Sequence, residues 1–295
     1  MIVVITNKGA GTGGDAEKAT SIREAFRAVD VDVEVHEVDG KELTNAARSA
    51  VAKGATTVVA AGGDGTVNTV AAALVGSDIS LGVLPMGTLN HFAKDVGIPL
   101  DIADAAAAIV RGHKGKVDVA SVNDHIFINN SSIGLYPLMI RDRDKQRSRF
   151  KRSKFWAMIR ASAAIFRRFP TFAVEMTIEG RTVRYRTPAV FVGNNVYKLE
   201  VFTLGTRETL DAGLLSVYAV RTRTRWRTVV MLLSALFSKL EEHDLFDAAR
   251  TEAVTLDTKK TNIEVSLDGE VVRMQTPLQY QIMKHSLNVI LPYRP

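Results

Sequence analysis

The chain contains no cysteine. That absence excludes a disulfide framework, a thiolate nucleophile and any Cys-ligated zinc or iron–sulfur site, and it fits a reducing compartment. A long apolar run is missing too: the most continuous stretch, residues 229–237, falls far short of the ~20 residues a membrane-spanning helix needs. Met1-Ile2-Val3-Val4-Ile5 lacks the basic start of a signal peptide. A cytoplasmic protein, soluble or surface-bound, is therefore expected. The six histidines are scattered with no H-x-x-x-H, so they offer no metal spacing. What is present is apolar bulk: 46% of 295 residues, enough for about two domains with real cores, which excludes disorder and fibre.

Net charge is +6 and the pI is near 9.5. Its clustering matters more than its sum. Residues 141–154 hold eight Lys or Arg against two Asp, and residues 221–227 add four Arg. An anionic partner follows, whether nucleotide, nucleic acid or acidic lipid headgroups. Nothing resembles a nucleic-acid-reading motif, so no nucleic-acid partner is expected.

The first ~120 residues alternate short β-branched runs with helical stretches, the pattern of βαβ units in a parallel sheet. Strands are expected at 2–6, 31–36, 57–61 and 80–84. Helices are expected at 15–29, at 44–53 with Thr44 as cap, at 66–75 and at 104–109. After His113-Lys114-Gly115 come short alternating segments at 116–122, 126–129, 173–178, 181–186, 189–192, 214–220, 253–256, 263–267, 271–275 and 287–291. These predict a largely antiparallel second domain, interrupted by helices at 153–169 and 225–240. The expected division is a doubly wound α/β domain over 1–118 and a β-rich sandwich domain over 119–295.

The sharpest local feature is Gly62-Gly63-Asp64-Gly65-Thr66-Val67-Asn68, between a buried strand and a helix start. Glycines let a phosphate approach the main chain, and free helix-start amides attract anions. Asp64 beside a phosphate would repel it unless a bound Mg²⁺ intervenes. A second loop, Pro85-Met86-Gly87-Thr88-Leu89-Asn90-His91-Phe92, follows the next strand and reaches the same sheet edge, so Thr88 and Asn90 can face a nucleotide. The first loop contains a formal G-x-G-x-x-G at Gly9, Gly11 and Gly14, with Glu37 and Asp39 at the distance of a ribose-binding acid. A dinucleotide fold is disfavoured because Asn7 and Lys8 separate the strand from the first glycine and because it leaves the Gly62 loop unexplained. No G-x-x-x-x-G-K-[ST] occurs, which excludes a P-loop. Asp268-Gly269-Glu270, between alternating runs, signals a hairpin whose tip can project a carboxylate into an interdomain cleft.

In order and spacing, the Gly62–Asn68 motif, Leu84-Pro85-Met86-Gly87-Thr88-Leu89-Asn90-His91-Phe92-Ala93 and Asp268-Gly269-Glu270 resemble the diacylglycerol kinase catalytic-domain family, which includes soluble bacterial lipid kinases and sphingosine and ceramide kinases. The resemblance implies an N-terminal domain like that of phosphofructokinase and NAD kinase, a β-rich C-terminal domain, and ATP with Mg²⁺ in the cleft between them. It implies nucleotide contacts at Asn7, Gly62, Gly63, Asp64, Gly65, Thr66, Val67, Asn68, Thr69, Gly87, Thr88 and Asn90. It makes Asp268 the general base acting on a lipid hydroxyl, and Glu270 a residue that orients Asp268 or helps hold metal. Asp64 and Asp211 are the implied metal residues. The family's Asn-Asp is Asn90-His91 here, and its Asp-Asp-Gly near a structural Mg²⁺ is Asp211-Ala212-Gly213, whose Ala212 has no ligating side chain. Its glycine-rich stretch is replaced by Lys198-Leu199-Glu200-Val201. An NAD kinase-like phosphotransferase on a soluble substrate, and a basic membrane-binding module with a vestigial nucleotide site, are the alternatives. A homodimer is left open.

Around the expected 153–169 helix, basic residues precede Phe155, Trp156, Phe166 and Phe169, which suits peripheral contact with an anionic membrane at ~1 kcal/mol per Lys or Arg. Charge reversal of Arg147, Arg149, Lys151 and Arg152 is expected to abolish flotation with anionic liposomes, and added salt to weaken it. Flotation insensitive to both would defeat electrostatic docking.

Overall fold

β-Branched and apolar runs form the first strands, β1 (Ile2–Asn7), β2 (Glu34–Val38), β3 (Thr57–Gly62) and β4 (Ser80–Pro85), in the order β2-β1-β3-β4 and all parallel. The computed structural model describes residues 1–8, 15–134, 171–200, 203–207, 209–220 and 246–293. The expected helices at 153–169 and 225–240, the 141–154 basic cluster and the glycines of 9–14 lie outside them. Helices α1 (Asp15–Arg27), α2 (Leu43–Ala52), α3 (Asp64–Leu74), α4 (His91–Asp95) and α5 (Ile102–Arg111) complete the N-terminal part, a doubly wound α/β fold. Strand order reverses between β1 and β3, the place where such sheets open a crevice at their carboxyl ends.

Three helix starts differ from expectation, one being α5, which opens at Ile102 with Asp101 as its cap rather than at 104. Thr44 does not cap α2: a 3₁₀ turn at Gly40–Glu42 leads into it and Leu43 is already helical, because Leu43, Ala47 and Ala50 share one buried face. α3 opens at Asp64 rather than at Thr66, so the glycine turn supplies the helix's own first turn.

Beyond α5 the chain is all strand among the described residues. β5 (His113–Val122), β6 (His125–Phe127), β7 (Asn130–Gly134), β8 (Phe172–Ile178), β9 (Arg181–Thr187) and β10 (Ala189–Asn194) come first. β11 (Tyr197–Glu200), β12 (Thr203–Arg207), β13 (Leu215–Val220) and β14 (Phe246–Thr251) follow. β15 (Ala253–Thr258), β16 (Asn262–Leu267), β17 (Glu270–Gln275) and β18 (Leu278–Leu291) end the series. The antiparallel sheet β14-β13-β10-β7-β16-β17 packs on β18, β15 and β8 as a sandwich. β7 escapes sequence patterning because Asn130, Ser131 and Ser132 are polar or small, although the last two are buried.

β18 is fourteen residues long, where only 287–291 was expected. Its first half pairs with β15 and β5, and its second half with β5 and, in parallel, with β4. The register against β5 shifts between Met283 and Leu287, around a left-handed His285 (φ 49°). Leu278, Tyr280 and Ile282 therefore enter the sandwich core while Leu287 and Val289 enter the N-terminal core. β5 does likewise with Ala120 and Val122 on one face and Val117 and Val119 on the other, as a period of two requires. The last strand thus completes the first sheet. Leu287→Ala, at a fully buried site, is expected to cost about 2–5 kcal/mol, read as a lowered midpoint in urea denaturation.

Candidate functional site

The register of the parallel strands levels their carboxyl ends. Thr6 pairs with Ala61, Ala61 with Leu84 and Gly62 with Pro85, so Asn7, the 62–65 turn and the 85–90 loop share one sheet edge. Glycine makes their close approach feasible. A Cβ on Gly62 would lie 2.6 Å from Thr66 Oγ1, and one on Gly87 would run into Gly63 Cα and come within 2.8 Å of Asn90 Oδ1. Met86 donates its N–H to Gly62 O at 3.0 Å, fastening one loop to the other.

Asn90, left-handed with φ 52°, closes the second loop on itself. Its Oδ1 accepts from Gly87 N at 3.0 Å and its Nδ2 donates to Gly87 O at 2.9 Å. Asn90 is buried by this and shapes the loop, whereas Thr88 stands exposed at the tip. Asn7 lies against Gly40, with Nδ2 3.5 Å from the position a Cβ there would take.

Gly63 caps α3 without any side-chain bond, so the first-turn amides and the positive end of the helix dipole face the shared edge. Asp64 Oδ1 accepts from Phe92 N at 3.4 Å. One turn on, Asn68 Oδ1 is buried and has no partner among the described residues, while Thr69 Oγ1 donates to Gly65 O at 2.9 Å. Thr66 packs beneath Gly62, and Val67 belongs to the core.

The second half of the molecule meets this edge through the β16–β17 hairpin. Asp268 and Gly269 have φ of 47° and 89°, both positive as a two-residue type I′ turn demands. The tip does not swing free. Asp268 Oδ2 accepts from Ile128 N at 2.9 Å, and Oδ1 accepts from Asn129 N and Asn130 N at 2.9 Å each. The Asp268 amide returns a bond to Asn130 O at 2.9 Å. A carboxylate has about four acceptor positions, so one on Oδ2 stays open among the described residues. Burial pushes the Asp268 carboxyl up to about 6, against the pull of the three amides and the Arg207 charge. Glu270 reaches across: its Oε1 lies 3.5 Å from the Cβ position of Gly65.

Sequence patterning missed the residues behind Asp268. Arg207 and Asp95 form a buried ion pair (2.8 Å), and Tyr197 Oη donates to Asn129 O at 2.9 Å. Asn194 Nδ2 donates to Asp118 O and Ile128 O at 2.9 Å each. A charged Asp95 beside the buried Phe92 and Ala93 was the available signal. Asp211 is exposed, and the neighbouring Asp118 is buried and already accepts Gly213 N (2.6 Å) and His285 N (2.8 Å). No cluster of three or more His, Asp or Glu suited to a metal occurs among the described residues.

Residues 1–122 match the family model of the diacylglycerol kinase catalytic domain, and residues 139–291 that of the YegS C-terminal NAD kinase beta sandwich-like domain. An uncharacterized Synechocystis protein, sll0036, is 27% identical over 257 residues, 85% of this chain and 58% of the relative. A Klebsiella pneumoniae protein named "Probable lipid kinase YegS-like" is 38% identical over 136 residues, 45% of each chain. The chain spans about half the length of the curated relatives it matches. A Bacillus anthracis diacylglycerol kinase structure shares the fold, with TM-score 0.73 and 22% identity over 100% of this chain and 97% of that one.

Gly87→Ala is expected to force the two loops apart at a cost of about 1–3 kcal/mol, visible as a lower melting temperature. An unchanged melting temperature would show that the loops do not depend on this contact.

Proposed function

Since the chain belongs to the diacylglycerol kinase catalytic-domain family, we propose that it is an ATP-dependent lipid kinase. It transfers the γ-phosphate to a hydroxyl of diacylglycerol or a related long-chain lipid. The observation that carries this reading is the hairpin tip, whose Glu270 reaches Gly65 of the glycine turn while Asp268, two residues earlier in the same tip, is held by the amides of 128–130. In this reading the phosphate-binding edge and the Asp268 carboxylate serve one substrate-binding space.

The α3 amides hold the triphosphate, with Asn7 and Thr88 flanking it. Asp268 takes the proton of the lipid hydroxyl at the open position of Oδ2 as that oxygen attacks the γ-phosphorus and the bond to the ADP oxygen breaks. Glu270, beside Gly65, holds the tip over the turn. Asp64 would hold Mg²⁺ through its carboxylate oxygens, and Asn68 Oδ1, without a partner among the described residues, lies one helical turn along; both are oxygen donors of the kind Mg²⁺ prefers. Bound there, Mg²⁺ would offset the charge of the β- and γ-phosphate oxygens. Asp211 stays a candidate for a second, structural ion.

Nucleotide is held in this reading by residues 1–118 and lipid by 119–295, with the end of β18 returning to the first core. Among the described residues no helix is long and apolar enough to cross a membrane. A lipid substrate is then met by peripheral contact, for which the basic 141–154 segment is suited.

Labelled phosphate from ATP is expected to partition into organic solvent when the protein is given mixed lipid extracts; label confined to the aqueous phase would favour the NAD kinase-like alternative. Asp268→Asn is expected to lose about 10²- to 10⁴-fold in turnover with ATP still bound. The base must be ionised, and its pKa of about 6 lies above the ordinary value. Turnover should therefore be flat above that pH and fall about tenfold per unit below it. A profile flat to pH 4.5, or an active Asp268→Asn, would remove Asp268 from the role.

A further inference from the structure

Asp268 is oriented by peptide groups, and those groups are themselves gripped from behind. The carbonyl of Ile128 and the N–H of Asn129 belong to one planar peptide unit. Its N–H donates to Asp268 Oδ1 at 2.9 Å, while its oxygen accepts from Arg207 Nη1 at 2.6 Å and from Asn194 Nδ2 at 2.9 Å. The next unit repeats the arrangement: Asn130 N donates to Asp268 Oδ1, and Asn129 O accepts from Tyr197 Oη and from Asn194 N, all at 2.9 Å. A cation on a peptide oxygen polarises that peptide and strengthens its N–H as a donor.

Arg207 is anchored in turn on the nucleotide side. Its side chain is fully buried, with Nε 2.9 Å and Nη2 2.8 Å from Asp95 Oδ2, and Nη2 also donates to Asn129 Oδ1 at 3.1 Å. The guanidinium lies 5.8 Å from the Phe92 ring and 5.9 Å from the Tyr197 ring. Asp95 and Phe92 both belong to α4, the helix that follows the Gly87 loop, and the Phe92 amide is bonded to Asp64. One planar fork thus spans the helix behind the nucleotide loop and the peptide that aims the carboxylate.

We propose that Arg207 is a positioning residue for Asp268: docked on Asp95 of α4, it locks the 128–129 peptide so that the Asp268 carboxylate keeps its place relative to the glycine turn. The reaction it serves is the one proposed above, on which this inference rests. Lysine can keep the charge opposite Asp95, but its single ammonium cannot present the fork that reaches Asp95, Ile128 O and Asn129 Oδ1 together.

Two variants test it, Arg207→Lys and the isosteric Tyr197→Phe, which loses only the hydroxyl on Asn129 O. Each is followed by lipid kinase kinetics, by ATP binding and by amide hydrogen exchange. Arg207→Lys is expected to lower kcat about 10- to 100-fold, the scale of a small misplacement of a reacting group. ATP affinity should stay within about threefold. The amides of Asn129 and Asn130 should exchange at least about tenfold faster while those of the β5–β18 ladder do not change. Tyr197→Phe should act in the same direction and less strongly, and it decides the matter alone if Arg207→Lys does not fold. Unchanged kcat and unchanged exchange in the folded variants would overturn the proposal. So would a fall in kcat accompanied by equal loss of ATP affinity and uniformly faster exchange, which would mark Arg207 as a general stabiliser. If the wild type phosphorylates no lipid while exchange at 129 and 130 still responds, the kinase reading fails and the positioning role stands. If the enzyme is active and exchange does not respond, the positioning role alone falls.

Discussion

The β5–β18 ladder is the constraint on which the arrangement of the molecule depends. A single strand from the end of the chain pairs with β15 and β5 in its first half and with β5 and β4 in its second, changing cores across the Met283–Leu287 irregularity. Burial on both faces holds the register, since a slip of one residue would turn Leu287 and Val289 out of one core and Tyr280 and Ile282 out of the other. The sandwich, and with it the Asp268 hairpin, is thereby fixed relative to the carboxyl ends of β1, β3 and β4. Asp118, at the middle of β5, serves the same junction by accepting the amides of His285 and Gly213.

Two opposing electrostatic effects meet at the hairpin tip. Withdrawal from water raises the proton affinity of Asp268, and three amides with a nearby guanidinium lower it, leaving a carboxyl near 6. Burial is the larger effect, so the net shift is upward. The same bonds fix its direction, so the groups that adjust its basicity also aim it. Arg207 reaches both effects, through its charge and through the peptide oxygen it holds.

Much of the N-terminal half was legible because its signals are local. Short β-branched and apolar runs, buried on both faces, marked β1, β3 and β4 to within a residue at each end, and three glycines after a buried strand marked the turn into α3. The Asp268-Gly269 hairpin was equally plain, since few residue pairs accept two successive positive φ values. Less legible was the second half. β7 carries a polar sequence that only its position between β10 and β16 buries, and the first half of β18 is masked by the polar stretch Lys284-His285-Ser286. Asn90, read as facing the nucleotide, has its amide bonded to Gly87, because its left-handed backbone turns the side chain back on the loop.

The sequence by itself determined the chemistry available: glycines where a main chain must come close, helix-start amides behind a buried strand, and an Asp-Gly turn bearing a carboxylate. Backbone conformation and hydrophobic period act over a few residues, so they can be read along the chain. Only the tertiary structure decided which groups aim that carboxylate. Arg207, Asp95, Tyr197 and the 128–130 peptides are separated by up to 112 positions in the chain yet share one buried network. No periodicity records such a meeting, because it arises from the packing of one half of the molecule on the other and from the need to pair each charge withdrawn from water.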